Sequence, residues 1–116
     1  MKLQIKRVYE APAGDDGKRI LVDRLWPRGL SRDKAAIDTW IKEVAPSNEL
    51  RRWYNHEPAK WEEFRKRYLH ELEGKTELVT ELRKEIGKGP ATLLCAAKDA
   101  AHSNARVLAD AIQSRH

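Results

Sequence analysis

The chain has 116 residues and one cysteine, and its 23 basic against 18 acidic side chains give a formal net charge of +5. One cysteine cannot close an internal disulfide, which excludes the small secreted class that depends on disulfides. No stretch approaches the ~20 apolar residues of a membrane-spanning helix, and the first residues lack the apolar core of a signal peptide. We therefore expect one cytoplasmic domain over residues 1–116, without membrane contact.

Two strands are predicted in the first part of the chain. Alternating apolar residues at Leu3 and Ile5 indicate a strand over about residues 2–9. The unbroken apolar run at 20–22 predicts a second strand over 19–23 that is buried on both faces. Proline and glycine then stop the regular structure at 27–29.

Residues 32–44 fit two structures. Ile37, Trp40, Ile41 and Val44 lie on one face of a helix, whereas Ile37, Thr39 and Ile41 equally fit a short strand. The periodicity does not choose between them.

Helices dominate the next part of the chain. Ser47 is predicted to cap a short helix that runs through Leu50 and Trp53. Residues 58–73 form the clearest helix, since four large apolar side chains share one face of a 3.6-residue period. A further helix is predicted over 75–87, with a glycine at its end. The apolar residues of the first long helix are Trp61, Phe64, Tyr68 and Leu72.

A buried strand and a last helix complete the chain. Residues 91–96 read as a strand, and residues 102–114 as a helix that directs its small and apolar side chains inward. Buried strands interleaved with helices predict a layered α/β domain. The side chains assigned to the interior of the last helix region are Ala101, Ala105, Leu108 and Ile112.

Polar residues follow two of the predicted buried strands. One cluster runs over residues 23–28 and the other over 98–104. If the two strands are parallel neighbours, both clusters open at the carboxyl edge of the sheet, where ligands bind in open α/β folds.

The first cluster combines cations with a stiff aromatic turn. Arg24 and Arg28 offer planar forks for phosphate or carboxylate, and Trp26 could stack on a base or sugar. Asp23 could orient an arginine or act as a base. The alternative is structural: a salt bridge from Asp23 to an arginine, with Trp26 packed to hold the loop.

The second cluster joins a cation to a histidine at a helix start. Lys98 adds a point charge, and Asn104 lies among the first residues of the helix, whose free N–H groups suit an anion. His102 could transfer protons, or it could be an exposed first-turn histidine. Cys95 lies inside an apolar strand, where a thiol is usually inert.

His56 ends a short helix and either reaches the same cleft or caps that helix. The four histidines and one cysteine match no zinc spacing, and no glycine-rich nucleotide loop occurs. We therefore predict neither a metal nor a cofactor.

These motifs resemble the YeaO-like proteins, a bacterial branch of the family called domain of unknown function 488. The resemblance implies a three-layer α/β/α domain with a small, mostly parallel sheet of about 3–4 strands, and it favours a strand over 37–42. Longer relatives have a carboxylate at the end of a similar strand and a histidine that opens the next helix. Here His102 keeps its counterpart, while the carboxylate is replaced by Lys98 or lost. The resemblance rests on residues 6–9, 19–29, 40–47, 50–53, 56–58, Trp61, Phe64, Tyr68, 92–99, His102, Asn104 and Ala105.

Three functions remain open from the sequence. The first is an enzyme that binds a small anionic, nucleotide-like ligand, with Asp23 and His102 as catalytic groups. In that case Arg24, Trp26, Arg28, His56, Lys98 and Asn104 contact the ligand. The second is a non-catalytic module for nucleic acid or a nucleotide, and the third is a module for a protein partner. The sequence leaves the oligomeric state open.

Overall fold

Four parallel strands form the central sheet of this protein, in a computed structural model that describes residues 2–113. The central strand β4 is buried along its whole length, as its unbroken apolar sequence predicts. It pairs with β1 on one side and with β2 on the other, so the two strands that precede the polar clusters are parallel neighbours. The strands are β1 (Leu3–Arg7), β2 (Lys18–Leu21), β3 (Thr39–Trp40) and β4 (Ala91–Cys95), in the spatial order β1-β4-β2-β3.

Five helices surround this sheet in the described part of the chain. Ser47 caps the second helix, because its side chain accepts a hydrogen bond from the Leu50 N–H, as predicted. The first long helix ends at Gly74. The helices are α1 (Arg32–Ala35), α2 (Asn48–Tyr54), α3 (Trp61–Glu73), α4 (Thr76–Ile86) and α5 (Asn104–Gln113), with 3₁₀ turns at Gly14–Asp16, Lys42–Val44, Pro58–Lys60 and Ala100–His102.

One face of the sheet holds the main hydrophobic core. Ile20 of β2 and Leu93 of β4 point to this face, where they pack in one cluster with buried residues from α2, α3, α4 and α5. Phe64, Tyr68 and Leu108 are among the largest of these buried side chains. The stack of rings along α3 follows from the apolar spacing of its sequence.

The opposite face has a thinner cover. Leu21 and Leu94 point to it and pack with Val8 and Ala35, beside the partly buried rings of Trp26 and Trp40. Among the described residues, α1 is the helix of this layer, and it has a single turn. The α/β fold with a parallel sheet is confirmed, and its third layer consists of one helical turn and aromatic loops.

A buried ionic group completes this second face near the amino ends of the strands. Asp16 accepts hydrogen bonds from Lys6 Nζ at 3.0 Å and from Arg19 Nη1. Its backbone oxygen accepts a bond from the Thr92 hydroxyl at 2.8 Å. The carboxylate, which is almost fully buried, therefore has two cationic partners.

Some boundaries differ from the predictions. Residues 32–44 contain the one-turn helix α1 and then the two-residue strand β3. The alternative helix with Ile37, Trp40, Ile41 and Val44 on one face does not form, because α1 ends at Ala35. The prediction that Ala101 points inward is wrong: it lies in the 3₁₀ turn before α5 and is exposed. The last helix was predicted to reach residue 114, which lies outside the described residues.

Candidate functional site

Asp23 connects the carboxyl ends of the central strands to the last helix through hydrogen bonds. Its Oδ2 accepts a hydrogen bond from the Ala96 N–H at 2.8 Å, just after β4. Its Oδ1 accepts one from Asn104 Nδ2 at 3.1 Å, at the start of α5. The same amide group donates to the Val22 carbonyl at 3.1 Å, and Trp40 Nε1 donates to the Asp23 carbonyl at 2.7 Å. Both carboxylate oxygens are thus occupied by protein groups.

Burial raises the pKa of Asp23 above its ordinary value. The bonds from Ala96 and Asn104 partly oppose this shift, as do the nearby charges of His56 and Arg51. The carboxyl group therefore takes up a proton more readily than a solvated aspartate. The contribution of His56 also places this histidine within electrostatic reach of Asp23.

Arg24 turns away from Arg28 and towards the segment before α2. Its Nη2 donates to the Ala45 carbonyl at 3.4 Å. Lys75 Nζ donates to the same oxygen at 3.1 Å and to the Glu43 carbonyl at 2.9 Å. Arg24 Nε is buried and has no hydrogen-bond partner among the described residues.

Hydrogen bonds to the backbone link the segments that carry Arg28 and Lys98 to Tyr9 and Arg7, at the carboxyl end of β1. Arg7 Nε donates to the Ala97 carbonyl at 3.0 Å, next to Lys98. The Arg7 guanidinium lies 5.4 Å from the centre of the Tyr9 ring, and the Tyr9 hydroxyl donates to the Arg28 carbonyl at 2.9 Å. One series of contacts therefore joins the backbone of Arg28 to the backbone next to Lys98. We call Arg7, Tyr9, Arg28 and Lys98 the edge patch.

Trp26 is packed against the second face of the sheet. Its ring meets Trp40 edge-on with centres 5.5 Å apart, and the Arg32 guanidinium lies 5.3 Å from its ring. Its Nε1 donates to the Leu30 carbonyl at 2.9 Å. These contacts agree with the packing alternative, and a stacking role for Trp26 stays a prediction.

His102 lies beside a separate pair of rings, Tyr54 and Trp61, which we call the aromatic corner. Its Nδ1 lies 2.7 Å from Asp99 Oδ2, and this bond holds the pKa of Asp99 below its ordinary value. The His102 ring meets Trp61 edge-on at 5.1 Å, and the Tyr54 hydroxyl donates to the His102 carbonyl at 2.8 Å. The imidazole is nearly half exposed, with one nitrogen paired to a carboxylate.

His56 lies on the other side of Tyr54, with ring centres 6.1 Å apart. Its φ of 54° follows a φ of 45° at Asn55, so two successive residues adopt the left-handed conformation. This backbone ends α2 and directs the exposed histidine to the aromatic corner. His56 and His102 thus share Tyr54 as a neighbour.

Cys95 is fully buried at the end of β4. Burial raises the pKa of its thiol to about 11, although a hydrogen bond involving Ser103 partly opposes the shift. The thiol is therefore protonated near neutral pH and is a poor nucleophile.

The described residues include no group of three or more histidine, cysteine, aspartate or glutamate side chains that could hold a metal ion. Within residues 2–113, no helix is both long enough and apolar enough to cross a membrane.

The structure therefore divides the predicted site residues into four places. Asp23 and Asn104 are bonded directly, while Arg28 and Lys98 belong to the edge patch. His56 and His102 border the aromatic corner. Arg24 lies beside Lys75, and Trp26 packs on the second face of the sheet.

Sequence reasoning missed three residues of these groups. Arg7 is the last residue of β1 and Tyr9 follows it, and β1 is also a parallel neighbour of β4. The carboxyl-edge rule, applied to that strand as well, could have found both. Lys75 had no such signal, because it lies between two helices far along the chain from Arg24.

A family model described as the inactive DUF488-N3 subclade matches residues 2–116. The chain belongs to this DUF488-N3 subclade. It is 44% identical over 114 residues to the uncharacterized protein YeaO of Escherichia coli, which covers 98% of this chain and 99% of YeaO. It is equally similar to the uncharacterized protein Rv3073c of Mycobacterium tuberculosis, over 98% of this chain and 96% of that protein. No solved structure matches this DUF488-N3 chain.

Proposed function

We propose that the protein is a non-catalytic binding module whose edge patch takes the phosphates of single-stranded nucleic acid. The observation that carries this proposal is the series of contacts from Ala97 through Arg7 and Tyr9 to the Arg28 carbonyl. These contacts place the Arg7 guanidinium over the Tyr9 ring and join it to the backbone segments that carry Arg28 and Lys98, at the carboxyl edge of the sheet.

The charge state of the patch supports an anionic ligand. Arg7, Arg28 and Lys98 form no ion pair with an acidic side chain among the described residues. Glu10 contacts the patch through the backbone: its carboxylate accepts a bond from the Arg7 N–H at 2.7 Å. The side-chain charges therefore stay available for phosphate groups.

The open shape of the patch favours a strand over an enclosed small molecule. Tyr9 is 41% exposed, and the neighbouring loop carries Leu25 at 60% exposure. Small-molecule sites usually bury most of their ligand in a cleft. An open cationic surface with an accessible aromatic ring is typical of single-strand binding, where bases stack and phosphates follow the cations.

Three observations support binding without turnover. The family model that matches the chain is described as inactive. Both oxygens of Asp23 accept hydrogen bonds from protein groups, and the Cys95 thiol is buried with a raised pKa. In the proposed module, Asp23 and Asn104 position the strand ends that carry the patch.

Fluorescence anisotropy with a labelled single-stranded oligonucleotide tests this function. We expect binding that weakens as salt rises, since phosphate contacts release counterions. Arg28→Ala and Lys98→Ala should each weaken binding and reduce the salt slope by about 0.7. Tyr9→Leu should weaken binding with little change in the slope, because it removes stacking and no charge.

Lys88→Ala is the matched control. Lys88 is exposed at the amino end of β4, so this variant removes one charge from the opposite edge of the sheet. Equal losses in Lys88→Ala and Lys98→Ala would mean that only net charge matters, which contradicts the patch. If a mononucleotide binds as tightly as the oligonucleotide, the ligand is a small molecule and the proposed single-stranded nucleic acid is contradicted. Cleavage or modification of the oligonucleotide would overturn the non-catalytic part.

A further inference from the structure

In two places in this protein, a pair of cationic side chains shares one hydrogen-bond acceptor. The acceptor is a charged carboxylate in one place and a neutral carbonyl in the other. Lys6 and Arg19 converge on the carboxylate of Asp16, which neutralises part of their charge. Arg24 and Lys75 converge on the carbonyl oxygen of Ala45, which carries no net charge. The second pair therefore shares an acceptor as the first does, but that acceptor is uncharged.

Glu71 and Glu43 act on Lys75 electrostatically, but neither forms an ion pair with it. Glu71 directs its carboxylate to Ser47, where it accepts bonds from the backbone N–H at 2.8 Å and from the hydroxyl at 2.6 Å. Neither Arg24 nor Lys75 forms an ion pair with an acidic side chain in the described range. Glu43 meets Lys75 through its backbone oxygen.

The donors of the pair have free capacity. Arg24 Nε is buried and unpartnered, while Nη2 makes only a long bond of 3.4 Å. Nε and Nη2 form the side of a guanidinium that grips an oxyanion with two parallel bonds. Lys75 is half-buried, and its three donors have two carbonyl partners.

We propose that Arg24 and Lys75 form a second anion site, which takes a single phosphate group. Arg24 supplies the fork through Nε and Nη2, and Lys75 supplies a point charge through its remaining donor. A shallow cavity of about 280 Å³ opens on the Lys75 side of the pair and is lined by residues 74–78, Glu77 among them. Burial is the main cause that lowers the pKa of Lys75; the charge of Arg24 adds to it, while Glu71 and Glu43 oppose the shift. An anion at this place also relieves the repulsion between the two cations.

This site is separate from the edge patch. Arg24 directs its guanidinium to the segment before α2, whereas Arg28 lies beside Tyr9, which follows β1. The proposal therefore stands or fails independently of nucleic-acid binding.

Calorimetric titration with inorganic phosphate, at an ionic strength held constant with chloride, tests the site. Wild-type protein should bind one phosphate with saturation. Lys75→Met and Arg24→Met should each weaken this binding about tenfold or more, the loss expected for one charge-assisted hydrogen bond. Lys84→Met removes a charge from an exposed position on α4 and should keep the wild-type affinity.

Sulfate and acetate titrations identify the chemistry of the group. Sulfate should compete with phosphate for the site. If acetate binds as tightly as phosphate, the site is selective for carboxylates and the proposed phosphate ligand is contradicted. Phosphate affinity unchanged in Lys75→Met, or reduced equally in Lys84→Met, would overturn the proposal. Arg28→Ala should leave phosphate binding intact, which distinguishes failure here from failure of the edge patch.

Chemical-shift mapping on the wild-type protein keeps the test valid if a variant fails to fold. Phosphate should shift the backbone amide signals of residues 43–47 and 74–76. Shifts confined to residues 7–9, 28 and 97–98 would place phosphate on the edge patch and overturn the second site. No saturable shift in either region would overturn it as well.

Discussion

Asn104 donates a hydrogen bond from Nδ2 to Oδ1 of Asp23 at 3.1 Å, across 81 positions of sequence. Asp23 also accepts a hydrogen bond from the Ala96 N–H. This one carboxylate therefore connects the ends of β2 and β4 to the start of α5. A bond that joins such distant segments fixes the relative position of the loops that carry Arg28 and Lys98. The geometry of the edge patch therefore depends on Asp23, which lies outside the patch.

Asp23→Asn should destabilise the protein. An amide at this position faces two donors, the Ala96 N–H and the Asn104 amide, with only one acceptor of its own. One donor then loses its partner, at a cost of about 1–3 kcal/mol. Urea denaturation measures the change in the free energy of unfolding.

The double variant Asp23→Asn with Asn104→Asp provides the control, because it exchanges the two groups and restores a donor facing an acceptor. It should recover part of the lost stability. If Asp23→Asn alone unfolds at the wild-type urea concentration, the proposed role of Asp23 in joining the strands is contradicted.

The raised pKa of Asp23 gives a specific dependence of stability on pH. A carboxyl group whose pKa is higher in the folded state binds its proton more tightly there. Its contribution is full below the unfolded pKa of about 3.9 and is lost as pH rises through the folded value. The free energy of unfolding of wild type, relative to Asp23→Asn, should fall over this window and stay constant above it.

Asp16 should show the opposite dependence. Burial alone raises its pKa, but the bonds from the Ala13 N–H, Lys6 and Arg19 outweigh burial and bring the pKa below its ordinary value. Its contribution is therefore full above an unfolded pKa of about 3.9 and is lost as pH falls through the folded value. Acid denaturation monitored by circular dichroism measures this loss.

Asp16→Asn is the comparison for this second window. It leaves Lys6 and Arg19 without a carboxylate and should cost about 3–5 kcal/mol at neutral pH. The variant should show a smaller decline on acidification than wild type, since the titrating group is gone. An identical acid profile in both proteins would exclude Asp16 as the group responsible.

The sequence predicted the strands and the long helices because their signals are local. An apolar run defined β4, and the spacing of Trp61, Phe64, Tyr68 and Leu72 defined α3. The segment over 32–44 could not be resolved, because α1, β3 and a 3₁₀ turn follow one another within a few residues there. A stretch of sequence long enough to show a hydrophobic period includes all three elements, so their separate patterns are averaged.

The carboxyl-edge rule found the right region but not the groups within it. It placed Asp23, Arg28 and Lys98 at one edge of the sheet, and the parallel pairing of β2 and β4 confirms that arrangement of strands. It could not show that Arg24 turns to Lys75, since side-chain direction after a strand depends on packing. Contacts between distant segments, such as the Ala45 carbonyl with both cations, leave no periodic signal.

Cys95 should resist modification in the folded protein. Its thiol is fully buried, and its pKa of about 11 leaves almost no thiolate near neutral pH. A chromogenic disulfide reagent should react slowly with native protein and stoichiometrically after unfolding in urea. Rapid reaction without denaturant would show that the end of β4 opens to solvent, which contradicts its burial in the described structure.

The hydroxyl of Tyr68 should contribute more to stability than that of Tyr9, although both donate to a backbone carbonyl. The Tyr68 hydroxyl donates to the Val44 carbonyl at 2.6 Å in the core, and its ring is fully buried. Tyr68→Phe leaves that carbonyl without this partner away from water and should cost about 1–3 kcal/mol.

Tyr9→Phe is the matched control, because water can replace the hydroxyl at the exposed Arg28 carbonyl. Its cost should be at the low end for a hydrogen bond, about 0.5 kcal/mol or less. Thermal and urea unfolding of the two variants measures the difference. Equal losses would mean that the Tyr9 hydroxyl also holds essential structure, and the edge patch would then be a stabilising element of the fold as well as a binding surface.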